Sequence, residues 1–321
     1  MRGVPTVDRE VIRRRRLSAL GVVGGVALLA GVATGAGSGD DGGSGEGDGG
    51  RAAQAAEAPP PPQLPRGGRS IFPEYRVVAF YGAPQAAELG ELGIGSPTSA
   101  GRRLRRQAAS YVKKTRPVLP AMELIATIAN AHPGTDGLYR TRQEHSVIRR
   151  YLRAARRAKA LLVLDIQPGH ADFMDEVRRL DRYLREPDVG LALDPEWYTP
   201  GAQPGTVIGS VTAEKINQVS RHVARIVRER NLPEKLFVVH QFTVDMVRDK
   251  QRVVQPRGLA MTMNVDGFGS RPAKVSKYRL FTTDGKRFHD GFKLFYREDT
   301  GLMKPRSVLA LQPPPDLVVY E

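Results

Sequence analysis

Residues Leu191-Ala192-Leu193-Asp194-Pro195-Glu196, followed by the single tryptophan Trp197, read as an apolar strand that turns acidic at its end. Side chains alternate across a strand. Gly190, Ala192, Asp194 and Glu196 therefore fall on one face, with Leu191 and Leu193 on the other. The same pattern recurs along the chain. Leu161, Val163, Asp165 and Gln167 share a face, as do Ala121 and Glu123, Val238 and His240, Thr262, Asn264 and Asp266, Ala79 and Tyr81, and Gly291, Lys293 and Phe295. In each case the polar group lies late in the strand.

Working outward, strand-like runs at 77–82, 118–125, 160–167, 189–196, 235–241, 259–266, 292–296 and 317–320 alternate with helical patterns near 98–114, 142–158, 172–186, 212–230, 243–255, 272–279 and 305–311. Thr212 is placed to cap the fourth helix, along which Ile216, Val219, Val223 and Ile226 recur on one side. Pro305 suits a first helical turn, where its missing N–H costs nothing. Strict alternation implies a parallel sheet with right-handed crossovers. An open doubly wound sheet carries a glycine-rich phosphate loop after its first strand, whereas this chain has Tyr81-Gly82-Ala83-Pro84. The expectation is a closed α/β (β/α)8 TIM-type barrel over 71–321 that lacks the last helix. Polar strand ends then converge on the C-terminal face, where barrel chemistry resides.

The N-terminal 70 residues have a different composition. Arg13 to Arg16 precede an apolar, glycine-interrupted run to Ala36, which implies a signal peptide or a membrane anchor over 1–36. The run is about the 20 residues that span a bilayer, and the arginines loosely match a twin-arginine signal. Residues 37–70, Gly/Asp-rich, then Ala-rich, then Pro59 to Pro62, form a disordered tether. The expected location is secreted or extracytoplasmic, with membrane contact through the N-terminal segment if it is uncleaved. There is no cysteine, which excludes disulfides, thiolate metal sites, a cysteine nucleophile and lipidation at cysteine. The formal charge is +15, and most of it lies on arginine-rich helical stretches such as 102–106 and 149–153. Solvated helix faces account for it, and attraction to anionic wall polymers or headgroups is the functional alternative. No nucleic-acid motif is present, and a monomer is expected.

Paired acids at a strand end fit glycosidic-bond hydrolysis. Asp194 and Glu196, two apart on a strand, would lie roughly 6.5–7 Å apart at Cα and could flank a scissile bond. Crowding lets one carboxyl stay protonated while its neighbour is ionised. Glu196 is then the general acid, Asp194 the nucleophile or charge stabiliser, and Asp165 a third acidic partner. Tyr81, Glu123, Gln167, His240, Asn264, Asp266 and Lys293 would contact substrate. Trp197, with Tyr198 and Phe268, would offer sugar-stacking faces, or in the case of Trp197 outer packing. No metal or other cofactor is required for this chemistry. Two alternatives use the same residues. One is a non-catalytic glycan-binding or wall-scaffolding barrel. The other is a metal-dependent hydrolase or isomerase with Glu123, Asp165, Glu196, His240 and Asp266 as ligands, joined by His170 from the following loop.

The segment Leu191–Trp197 resembles the fourth-strand Asp-x-Glu of barrel glycosidases, including chitinase-like enzymes and lysozyme-like muramidases. That resemblance implies Glu196 as the acid and Asp194 as its assistant. Gly190 and Ala192 stand where the longer chitinase pattern has aspartates, and Ala79-Phe80-Tyr81 where muramidases carry one. Segments 120–127, 162–169 and 239–242 resemble secreted or lipoprotein-like actinobacterial proteins of unassigned activity, which implies export and one domain.

Overall fold

The computed structural model describes residues 60–282 and 287–321, so the expected signal or anchor at 1–36 and most of the tether lie outside them. Eight parallel strands form the frame: β1 Arg76–Gly82, β2 Val118–Ala129, β3 Leu161–Ile166, β4 Val189–Leu193, β5 Lys235–Gln241, β6 Leu259–Val265, β7 His289–Leu294 and β8 Leu317–Tyr320. Each pairs with its sequence neighbours, and β1 pairs with both β2 and β8. The sheet therefore closes on itself as the alternation implied. A three-residue strand, Arg140–Arg142, folds back antiparallel on the end of β2.

Helices α1 Pro97–Ala109, α2 His145–Arg157, α3 Phe173–Leu184, α4 Ala213–Glu229, α5 Arg271–Phe281 and α6 Pro305–Leu309 supply the crossovers. Thr212 caps α4 by accepting a hydrogen bond from the Lys215 amide, and Pro305 opens α6. The helix expected over 243–255 does not form. Two 3-10 turns flank Val247–Arg248, which pairs with Val211–Thr212, and Asp249 sits at φ +55° between them. That left-handed residue, β-branched valines on both sides and Pro256 oppose a continuous helix.

The pleat sorts the strands into two cores. Val78, Met122, Leu164, Leu191, Phe237, Met263, Phe292 and Val318 point outward under the helices. Val77, Ala79, Leu119, Ala121, Leu161, Val163, Ala192, Leu236, Val238, Ala260, Leu317 and Val319 fill the lower lumen with Ile71 and Phe72. The tether assignment ended too late on this side. Leu64 is buried in the lower plug, and the Arg69 guanidinium donates to the Pro62, Asn231 and Leu232 carbonyls. Apolar burial at Leu64 and this guanidinium clamp hold residues that composition alone marks as extended.

Candidate active site

The upper lumen replaces apolar packing with polar and ionisable groups, each at the position its strand parity assigned. Glu123 on β2, Asp165 on β3, His240 on β5, Asn264 on β6 and Lys293 on β7 are all within 1% of complete burial. Asp194 and Asp266, one residue beyond β4 and β6, are buried as well. His240 is the hub. Its Nε2 lies 2.8 Å from Glu123 Oε1 and 3.9 Å from Asp165 Oδ1. Its Nδ1 lies 3.1 Å from Asp266 Oδ2, and the Asn264 amide approaches the same nitrogen at 3.2 Å. Lys293 pairs with Asp266 at 3.2 Å and with Glu321 at 2.7 Å, and its Nζ stands 3.6 Å from the centre of the Tyr81 ring. The Tyr81 hydroxyl donates to Asp165 Oδ2 and accepts from Gln167 Nε2, both at 3.0 Å. Gln167 is fixed in turn by the Ala129 amide, which donates to its Oε1.

Acid exceeds base here. Glu123, Asp165, Asp194, Asp266 and Glu321 gather around two basic groups, His240 and Lys293. Burial, and then the adjoining Asp194, push the Asp165 carboxyl well above the usual carboxylate range, which favours its neutral form. Burial disfavours the imidazolium of His240, but Glu123 and Asp266 outweigh it and hold this group well above an ordinary histidine. Burial and the surrounding carboxylates Asp165, Asp194, Glu321 and Glu123 raise the Tyr81 hydroxyl strongly, so it remains a donor.

The Asp194–Glu196 pair departs from its expected geometry. β4 ends at Leu193, and Pro195-Glu196-Trp197 form a 3-10 turn. Pro195 has no N–H to give the sheet, so Glu196 does not continue the alternation, and the strand spacing between the two acids does not apply. Glu196 is buried within this turn, which packs against β5. Trp197 is 5% exposed, so it packs instead of presenting an open face. Tyr198 lies against Phe173, and Phe268 against Phe295. His170 stacks on Tyr139 and pairs with the Ala202 carbonyl, so it belongs to the loops and not to the cluster. Glu321 was missed, although it shares parity with Leu317 and Val319.

Loops above β2, β3 and β4 are laced together over this end. The His170 amide donates to the Leu138 carbonyl, Thr199 to Gly169, and Gly209 to Glu196. Gly169 adopts φ +62°, and a side chain there would strike the Leu138 and Tyr139 carbonyls. Any side chain at Gly209 would collide with the carbonyls of Pro195, Glu196 and Tyr198. Glycine at both positions lets the loops close down on the acids.

The fold and site define a TIM-type barrel with a buried polar cluster at the C-terminal ends of its strands. No protein-family model matches the chain, and no curated protein matches it. Among solved structures it is similar to a sialic acid aldolase of Ruminococcus gnavus, with 12% sequence identity and a TM-score of 0.40, over 77% of this chain and 68% of the aldolase.

Proposed function

We propose that this barrel is a cell-surface or secreted hydrolase that cleaves a glycosidic bond in a polysaccharide or cell-wall glycan. The observation that carries this reading is the buried excess of carboxylates at the strand ends, with Asp165 shifted toward its neutral form beside Asp194. Desolvation makes a buried ion-pair cluster a poor way to gain stability compared with apolar packing. A cluster of this size with more acid than base therefore points to chemistry. Glu196 is the general acid from the turn above β4, Asp194 carries the nucleophilic or charge-stabilising role, and Asp165 tunes Asp194. Tyr81 and Gln167 orient Asp165, and His240, Asp266 and Lys293 balance charge beneath them.

The arginine-rich start and apolar run at 13–36 support an extracytoplasmic location, with glycan as the partner of a monomeric barrel. Incubating the full chain with wall glycans and chromogenic glycosides tests the reading. Glu196→Gln and Asp194→Asn should each lose about 10²–10⁴-fold in turnover while remaining folded. Full turnover in both variants would remove the assignment. Saturable glycan retention without cleavage would instead favour the scaffold reading, which the closed, ion-paired lumen also fits.

A further inference from the structure

We propose that Glu123, Asp165 and His240 form a binding site for a divalent cation of the zinc class. One ligand atom from each residue lies within 4.8 Å of the other two, and all three side chains are buried. They come from β2, β3 and β5 of the closed sheet, β2 pairing directly with β3 and β4 standing between β3 and β5, so the barrel register fixes their spacing.

The distances suit such an ion. Tetrahedral bonds of about 2.0–2.1 Å place ligand atoms about 3.3 Å apart. Nε2 of His240 lies 2.8 Å from Glu123 Oε1 and 3.9 Å from Asp165 Oδ1, which straddles that value. For these two pairs a shift of about half an ångström reaches the tetrahedral spacing.

An independent observation points to a missing partner. Asp165 Oδ1 is fully buried and accepts no hydrogen bond from any described residue, while its sister oxygen is held by Tyr81. The surroundings also match what a metal-bound histidine needs. Nδ1 faces the Asp266 carboxylate at 3.1 Å, which fixes the ring and leaves Nε2 for the ion. Two carboxylates and one imidazole leave the fourth tetrahedral position open, the pattern of a catalytic rather than a structural zinc site. The imidazole also argues against calcium or magnesium, which take oxygen donors. Binding releases the Nε2 proton shared with Glu123 and the proton that burial favours on Asp165, while Nδ1 keeps its proton, donated to Asp266.

The inference goes beyond the hydrolase reading and does not rest on it. The full chain, stripped with chelator, is titrated with zinc against a chromogenic competitor, and with cobalt by visible absorption. One zinc per chain and a tetrahedral cobalt spectrum are expected. Asp165→Asn, which keeps an acceptor for Tyr81, should weaken zinc binding at least tenfold and abolish that spectrum. Asp266→Asn should weaken binding by about 10–100-fold through the ring orientation alone. Circular dichroism confirms that each variant is folded. Absence of saturable zinc binding, or an Asp165→Asn variant that binds as tightly as the parent, would overturn the proposal. Glycan cleavage by a chain that binds no zinc would leave the hydrolase reading standing while the cation site falls.

Discussion

Two buried ionic clusters in this barrel are built on opposite rules. At the hairpin beside β2, the single carboxylate of Glu176 accepts hydrogen bonds from Arg140, Arg142 and Thr127, at 2.8–3.2 Å. With Asp136 beside Arg140, acid and base balance, and both Glu176 oxygens are satisfied. In the lumen, carboxylates exceed basic groups, and Asp165 Oδ1 accepts no hydrogen bond from any described residue. The first arrangement ties the Arg140–Arg142 strand to α3 and serves as a clamp. The second holds one carboxyl near its neutral form and stores like-charge repulsion, which suits a reactive site. Burial alone does not separate structural from functional ion pairs. The ratio of acid to base and the satisfaction of each oxygen do.

The largest expected effect lies in the clamp. Glu176→Gln removes the charge from a fully buried carboxylate, taking the Glu176 ion pair from Arg142 and leaving Arg140 paired with Asp136, so it should cost about 1–3 kcal/mol in urea unfolding. A loss under about 1 kcal/mol would erase the contrast.

The two clusters should also answer pH with opposite sign. Burial raises Glu176, but Arg142 and Arg140 outweigh it and hold the carboxyl below its ordinary value of 4.5. Its stabilisation is present above that pH and is lost as pH falls through the lower folded value. Asp165 and His240 are both raised in the folded state. Their stabilisation is complete below the unfolded values of 3.8 and 6.5 and drains away as pH rises through the folded ones. Lys235 and Lys274, lowered by burial to about 7 and about 8, act the other way up to the unfolded value of 10.5. The comparison is therefore between variants. In melting curves from about pH 2 to 9, stability should fall less steeply with rising pH for Asp165→Asn than for the parent, and the decline below pH 4.5 should be shallower in Glu176→Gln. Identical pH profiles for parent and Asp165→Asn would break the assignment.

A smaller effect is expected at Asp194. Replacing it with Asn relieves repulsion with Asp165, so the melting temperature should hold or rise by a few degrees while turnover is lost, the usual trade at strained active sites. A fall of several degrees would place Asp194 with the clamps.

Much of this was legible in the sequence because strand parity is local. Ala79/Tyr81, Ala121/Glu123, Val163/Asp165 and Val238/His240 each reveal which side enters the lumen, and the alternation of elements implied closure. Partner choice was not legible. That His240 meets Glu123 across the barrel follows from closure and tilt, which no short window encodes. Local chemistry misled in two places. Pro195 ended β4 before Glu196, and the valines around Asp249 formed turns where apolar spacing suggested a helix. Glu321 was overlooked because the strand pattern was read only as far as Tyr320, although its parity with Leu317 and Val319 pointed inward.

The most direct test of the central claim, that the lumen cluster is a reactive site and not a clamp, is urea unfolding of Asp165→Asn beside Glu176→Gln at neutral pH. Asparagine reproduces the neutral carboxyl that burial and Asp194 favour, and it still accepts from Tyr81. The account predicts that Asp165→Asn is at least as stable as the parent while Glu176→Gln loses about 1–3 kcal/mol. An Asp165→Asn variant destabilised as much as Glu176→Gln would contradict it.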